Sequence, residues 1–174
     1  MQDILLVIDM QKDFVTGVLG TAEAASIIPY LREKILAHNG KVYFTRDTHE
    51  ADYMDTREGK YLPVPHCIRG TEGWQIIPEL ASLPCSGIID KPTFGSLALQ
   101  QLIMAEHERE PISSVTLTGV CTDICVISNA MLIKAALPEI DVVIDASCCA
   151  GVTPESHKTA LAAMKACQIE ILGA

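Results

Sequence analysis

A cysteine, an aspartate and a lysine at the ends of apolar runs are the residues of this chain best suited to covalent chemistry. In Thr118-Gly119-Val120-Cys121-Thr122-Asp123-Ile124-Cys125-Val126 an apolar run breaks at glycine and a helical segment begins within a few residues, placing Cys125 in a first helical turn. Unpaired backbone N–H groups and the positive end of a helix favour a thiolate there, and such sites bring a thiol from ~8.5 down to ~3.5–7.5. Asp9 ends the run Ile4-Leu5-Leu6-Val7-Ile8, and Lys91 ends Gly87-Ile88-Ile89-Asp90. A carboxylate can accept a thiol proton and pass it to a leaving amine, while an ammonium holds the thiolate and steadies developing negative charge. Read singly, each also has an ordinary role: Cys125 as a buried thiol, Asp9 as a turn cap, Lys91 as a solvated strand end.

A second group has ligand character. Asp47-Thr48-His49 sets two ligand-type side chains on one side of an extended segment, and Pro65-His66-Cys67 adds an imidazole later in the same loop. Three protein ligands leave positions open for water or substrate, although the same residues also suit a solvated loop. Cys67 directly follows a ligand and points away from it, so its thiol reads as packing.

These residues need a scaffold that brings distant positions to one edge. Strand-like runs at Ile4–Ile8, Lys41–Thr45, Gly87–Ile89, Ser114–Thr118, Val142–Ile144 and Ile169–Leu172 alternate with helical segments at Ala22–His38, Ser96–Glu106, Thr122–Ala136 and Pro154–Ala166, with a further short helix near Gln75–Ala81. Such alternation predicts parallel strands with crossover helices, and ligands then gather beyond the strands' carboxyl ends. Asp9, Asp47, His49, Lys91, Cys121, Cys125 and Asp145 all follow strands. The irregular stretch Arg46–Trp74 is long enough to expect a function of its own.

The chain has 174 residues and a net charge of −9, which predicts one domain over 1–174 and argues against a basic groove for nucleic acid or anionic lipid. No apolar run is long enough to span a bilayer, and the opening residues lack a basic leader region. Seven cysteines, an odd number, read as reduced thiols, so a cytoplasmic protein is expected. Asp123 reads as a helix cap and His157 as a solvated or capping residue.

Together, Asp9-Met10-Gln11-Lys12-Asp13-Phe14, Lys91 and Gly119-Val120-Cys121-Thr122-Asp123-Ile124-Cys125-Val126 resemble the isochorismatase-like cysteine hydrolases that include nicotinamidases, over essentially the whole chain. The resemblance implies an α/β, doubly wound, Rossmann-like six-stranded parallel sheet with helices on both faces. It implies a triad of Asp9, Lys91 and Cys125, a cis peptide between Val120 and Cys121, and an oxyanion hole from the N–H groups of Cys121 and Cys125. Asp47, His49 and the stretches Val64-Pro65-His66-Cys67 and Gly70-Thr71-Glu72-Gly73 look like the nicotinamidase metal pattern with a shifted proline. That pattern implies one divalent transition metal, zinc or a substitute such as iron or manganese, on Asp47, His49 and His66, positioning the substrate. Two departures concern the substrate. Thr48 stands where nicotinamidases commonly carry tryptophan, and Phe94-Gly95-Ser96-Leu97 replaces their Ser-Ala-Phe stretch, leaving Phe14, Phe94 or Trp74 to supply a ring.

The expected activity is hydrolysis of the C–N bond of a small amide through a thioester, with nicotinamide as first substrate. Another amide, such as a ureido or N-carbamoyl compound, is the second reading, and a non-catalytic redox-sensing or binding protein the third. The expected partner is a small molecule, with no nucleic acid and no membrane, and a homo-oligomer is compatible with this.

Overall fold

The computed structural model describes residues 1–173. Its strands are β1 (Gln2–Ile8), β2 (Lys41–Asp47), β3 (Gly87–Lys91), β4 (Ile112–Val120), β5 (Asp141–Ala150) and β6 (Glu170–Leu172). All pair in parallel, in the order β3-β2-β1-β4-β5-β6. The helices are α1 (Lys12–Val15), α2 (Ala22–Ser26), α3 (Ile28–Ala37), α4 (Arg57–Tyr61), α5 (Pro78–Ala81), α6 (Leu97–Arg109), α7 (Ile127–Ala136) and α8 (Pro154–Ala166).

Alternation along β1 builds two cores from one strand. Ile4, Leu6 and Ile8 join a cluster with Leu99 and Ile103 of α6, Ala130 and Ile133 of α7, and Leu161 and Met164 of α8. Leu5 and Val7 face the opposite layer, packing with Ala24 of α2, Leu31 and Ile35 of α3, and Leu80 of α5. Each fully buried large aliphatic contributes about 1.5–3 kcal/mol relative to exposure, so both faces must be covered, and the sheet is doubly wound. Among the described residues no helix is long and apolar enough to cross a membrane, and all seven cysteines are free thiols.

Several elements differ from the sequence pattern. The segment expected as one helix from Ala22 to His38 is divided into α2 and α3, with Pro29 in the first turn of α3. The loop 46–74 carries a 3₁₀ turn at Tyr53–Asp55 and α4, whose start Thr56 caps by accepting from the Gly59 N–H. Strand β5 runs past Ile144 through a register shift, and Asp145 pairs with Lys34 of α3 at 2.5 Å.

The strand order reverses between β1 and β4, and there the two strands are forced close. Gly119 has φ +101° and faces Ile8, and a Cβ on it would lie 2.1 Å from the Ile8 carbonyl oxygen. Gly119→Ala should therefore cost about 2–4 kcal/mol, from the left-handed backbone and the backbone clash together. Urea titration checks this, and a loss below about 1 kcal/mol would show that the strands can part without penalty.

Candidate active site

Asp9, Lys91 and Cys125 converge beyond the carboxyl ends of β1, β3 and β4. Because β2 lies between β1 and β3, Lys91 must reach across the end of β2, where Asp47 is its register partner. Its extended stem does so. Lys91 Nζ lies 2.6 Å from Asp9 Oδ2, 3.3 Å from Cys125 Sγ and 3.4 Å from Asp47 Oδ1, and it donates to the Thr93 carbonyl at 3.2 Å. Asp9 sits in the left-handed region with φ +50°, which aspartate tolerates better than most residues. Thr45 fixes it twice, donating from Oγ1 to Asp9 Oδ1 at 2.6 Å and accepting from the Asp9 N–H at 3.1 Å.

Asp9 and Lys91 are wholly buried, and this sets the electrostatics. Burial, then the Asp9 charge, push the Cys125 thiol well above its ordinary range, while Lys91 pulls it down. Burial also raises Asp9, against the opposing pull of Lys91. Burial disfavours the Lys91 ammonium, but Asp9, Cys125 and Asp47 outweigh it and hold the charge in place. The packed site thus disfavours the free thiolate that a helix N-terminus alone would favour, and sets the Lys91 ammonium 2.6 Å from Asp9 beside the thiol.

The turn carrying Cys125 is not α-helical as the sequence suggests. Residues Thr122–Val126 form a π-helical turn preceding α7, and the N–H groups of Ile124 and Val126 both donate to the Cys121 carbonyl at 3.1 Å. The Val120–Cys121 peptide bond is cis. Asn129, almost fully buried and not singled out by any motif, binds the turn to the loop after β3. Its Nδ2 donates to the Cys125 and Phe94 carbonyls at 2.8 and 3.0 Å, and its Oδ1 accepts from the Ser96 N–H at 2.9 Å. Asp123 accepts from the Val152 N–H instead of capping a helix. His157 is bonded through Nδ1 to the Thr122 hydroxyl at 2.8 Å, and burial lowers its pKa. Both residues therefore tie this turn to the start of α8.

Asp47, His49 and His66 meet beside Asp9, Lys91 and Cys125, and Glu58 of α4 joins them. One ligand atom from each of the four lies within 4.8 Å of every other. His49 Nε2 is 3.0 Å and His66 Nε2 3.6 Å from Asp47 Oδ2, and the two nitrogens are 3.6 and 3.8 Å from Glu58 Oε1. His66 Nδ1 is bonded to the Val64 carbonyl at 2.8 Å, leaving Nε2 directed inward, as is usual for a ligating histidine. Two imidazoles and two carboxylates converging in a largely buried pocket suit a divalent metal. Sequence spacing missed Glu58 because nothing announces that the loop folds into a helix aimed at His49. Cys67 is buried outside this donor set, and burial pushes its thiol up strongly.

A cavity of about 370 Å³ opens onto both groups. Its walls include Cys125, Cys121, Asp47, Glu58 and His66, together with Phe14, Phe94, Tyr61, Leu62, Ile124 and Val152. Phe14 sits edge-on to His66, 5.5 Å between ring centres. Trp74, a candidate pocket ring by sequence, is not one. Its indole N–H donates to Thr48 Oγ1 at 2.8 Å, and the Arg46 guanidinium covers its ring at 3.6 Å, behind the ligand segment.

Residues 3–174 match the sequence model of the isochorismatase domain. The uncharacterized isochorismatase family protein PncA of Bacillus subtilis strain 168 is 29% identical over 174 residues, covering 92% of this chain and 93% of that protein. The crystal structure of the nicotinamidase/pyrazinamidase PncA from Bacillus subtilis superposes with a TM-score of 0.78 at 28% identity, covering 99% of this chain and 100% of that one. The pyrazinamidase of Pyrococcus horikoshii, crystallised in complex with zinc, gives 0.81 at 26% identity with 99% of each chain covered.

Proposed function

Because this chain belongs to the isochorismatase family and is a nicotinamidase-like hydrolase of carbon–nitrogen bonds, we propose that it cleaves a small, uncharged amide through a thioester on Cys125, with nicotinamide the first candidate. The observation that carries this reading is the contact of Lys91 with both Asp9 and Cys125 at the floor of a cavity that also exposes Asp47, Glu58 and His66.

The chemistry follows from the resting charges. With substrate in place, Asp9 takes the thiol proton as Cys125 Sγ forms its bond to the amide carbon, so free thiolate never accumulates in the buried site. Lys91 stays protonated and faces the negative charge developing on sulfur. The N–H groups of Cys121 and Cys125 receive the carbonyl oxygen as it becomes an oxyanion. Asp9 then returns the proton to the amide nitrogen, the C–N bond breaks, and ammonia departs, leaving the acyl group on sulfur. Asp9 next accepts a proton from water as its oxygen attacks the thioester. The C–S bond breaks, the acid leaves, and the proton returns to sulfur.

Asp47, His49, Glu58 and His66 are the residues that would hold the metal, with zinc first, supported by the Pyrococcus horikoshii complex, and iron or manganese as substitutes. When bound, such an ion supplies an electrophilic anchor for a ring nitrogen or another neutral donor. Phe14 and Phe94 are proposed to flank the substrate ring, and the free thiols accord with a cytoplasmic enzyme.

Charge favours this substrate class over ureido acids and N-carbamoyl acids, which carry a carboxylate. Among the described residues lining the cavity there is no arginine or lysine, while Asp47 and Glu58 are both present, and Lys91 is already engaged by Asp9. A substrate carboxylate would meet no cationic side chain on these walls and would be neutralised only by taking the metal's open position, which this reading gives to a neutral ring donor. Ammonia release should therefore be at least about 100-fold faster, by kcat/KM, for nicotinamide or pyrazinamide than for N-carbamoylglycine. A preference for the ureido acid would overturn the reading.

A further inference from the structure

The tryptophan excluded from the cavity is built into the support of the ligand segment. Trp74 Nε1 donates to Thr48 Oγ1 at 2.8 Å, and that hydroxyl donates onward to the Arg46 carbonyl at 3.0 Å, so its donor and an acceptor site are both used. The Trp74 carbonyl accepts from Gln11 Nε2 at 2.9 Å. Gln11 is fully buried, and its amide grips Asp47 from both sides. Oε1 accepts from the Asp47 N–H at 2.7 Å, and Nε2 donates to the Asp47 carbonyl at 2.8 Å. On the outer side, the Arg46 guanidinium lies on the indole and bonds Asp90 at 2.7 Å.

We propose that Trp74 and Gln11 are positioning residues that hold the segment Asp47-Thr48-His49 in its metal-ligating geometry and so set metal affinity. The inference rests on the reading that Asp47, His49, Glu58 and His66 hold a metal. Asp47 and His49 come from the end of β2 and the loop beyond it, where backbone freedom would otherwise let the carboxylate and imidazole separate. A ligand held in place before binding loses less freedom when the ion arrives, and removal of supporting partners typically costs ~10–100-fold in metal affinity. Neither residue lines the cavity, so their effect should fall on the ligands and not on substrate contacts.

The test measures zinc affinity by competition with a chromophoric chelator, on folded protein well below the melting midpoint. Trp74→Phe keeps a ring beneath Arg46 and deletes the N–H, while Thr48→Val deletes its acceptor at nearly constant shape. Each should weaken zinc binding roughly 10-fold, and the double variant should be no weaker than Thr48→Val alone, because Thr48→Val already removes the Trp74 contact along with the bond to the Arg46 carbonyl. Gln11→Met should weaken zinc ~10–100-fold while the rate of Cys125 alkylation by iodoacetamide stays close to wild type. A merely structural role would lower the melting midpoint of these variants and leave zinc affinity unchanged. That outcome overturns the inference, as does full additivity of Trp74→Phe and Thr48→Val. If the wild-type protein binds no zinc, the metal reading falls, and the inference with it.

Discussion

Cys125→Ala should reduce turnover at least about 10⁴-fold, the scale seen when the atom forming the covalent intermediate is removed. The fold should survive. The side chain is nearly buried among small and aliphatic neighbours, and its loss removes one sulfur from a turn that Asn129 continues to hold through backbone. Circular dichroism and the melting midpoint should stay near wild type while ammonia release disappears. Cys67→Ala, Cys148→Ala and Cys149→Ala should keep activity, since none of these thiols lines the cavity, and burial pushes all three upward. Cys121 does line it. Its replacement should be milder than that of Cys125, because the proposed contribution is a backbone N–H. Substantial turnover in Cys125→Ala would remove the thioester route altogether.

The second large effect concerns the buried ion pair. Removing one partner of such a pair leaves an uncompensated charge and costs about 3–5 kcal/mol, whereas replacing both can be nearly neutral. Lys91→Met leaves Asp9 and Asp47 without the ammonium between them, so it should show the full cost. Asp9→Asn leaves Lys91 still facing Asp47 and the Cys125 sulfur, which places it at the low end of that range. The double variant should regain most of the stability lost in Lys91→Met. All three should lose turnover by about 10²–10⁴-fold: without Asp9 no group both accepts the thiol proton and delivers it to the amine, and without Lys91 the negative charge developing on sulfur has no facing cation. Urea midpoints and ammonia release together separate the two roles. A double variant that recovers both stability and activity would show the pair to be structural, and Asp9→Asn retaining turnover within about tenfold would remove it as the proton carrier.

Strand ends could be located in the sequence because the information is local. A run such as Ile4–Ile8 is apolar at every position, which marks a central strand covered on both faces, and the residue after it necessarily lies at the sheet edge. Asp9, Asp47, Lys91 and Cys125 could be placed at that edge for the same reason, and the repeated alternation of strand and helix already implied a parallel sheet. Which side chains touch was a different matter. That Lys91 spans the end of β2 to reach Asp9 and Cys125 depends on strand order, which no local pattern encodes. Glu58 became a candidate ligand only because loop 46–74 folds a short helix back over His49 and His66. Trp74 was one of three rings, with Phe14 and Phe94, that could have supported the substrate, yet its contacts with Thr48 and Arg46 place it behind the segment Asp47-Thr48-His49. The state of Cys125 shows the division most sharply. Its position at a helix start argues for a lowered pKa, and that effect is short-ranged and local, whereas burial beside Asp9 is a property of the packed site and pushes the thiol upward. Sequence thus determined which groups stand at the sheet edge, and tertiary packing decided their charge states and partners, because desolvation and contact arise only once separate strands close over the same space.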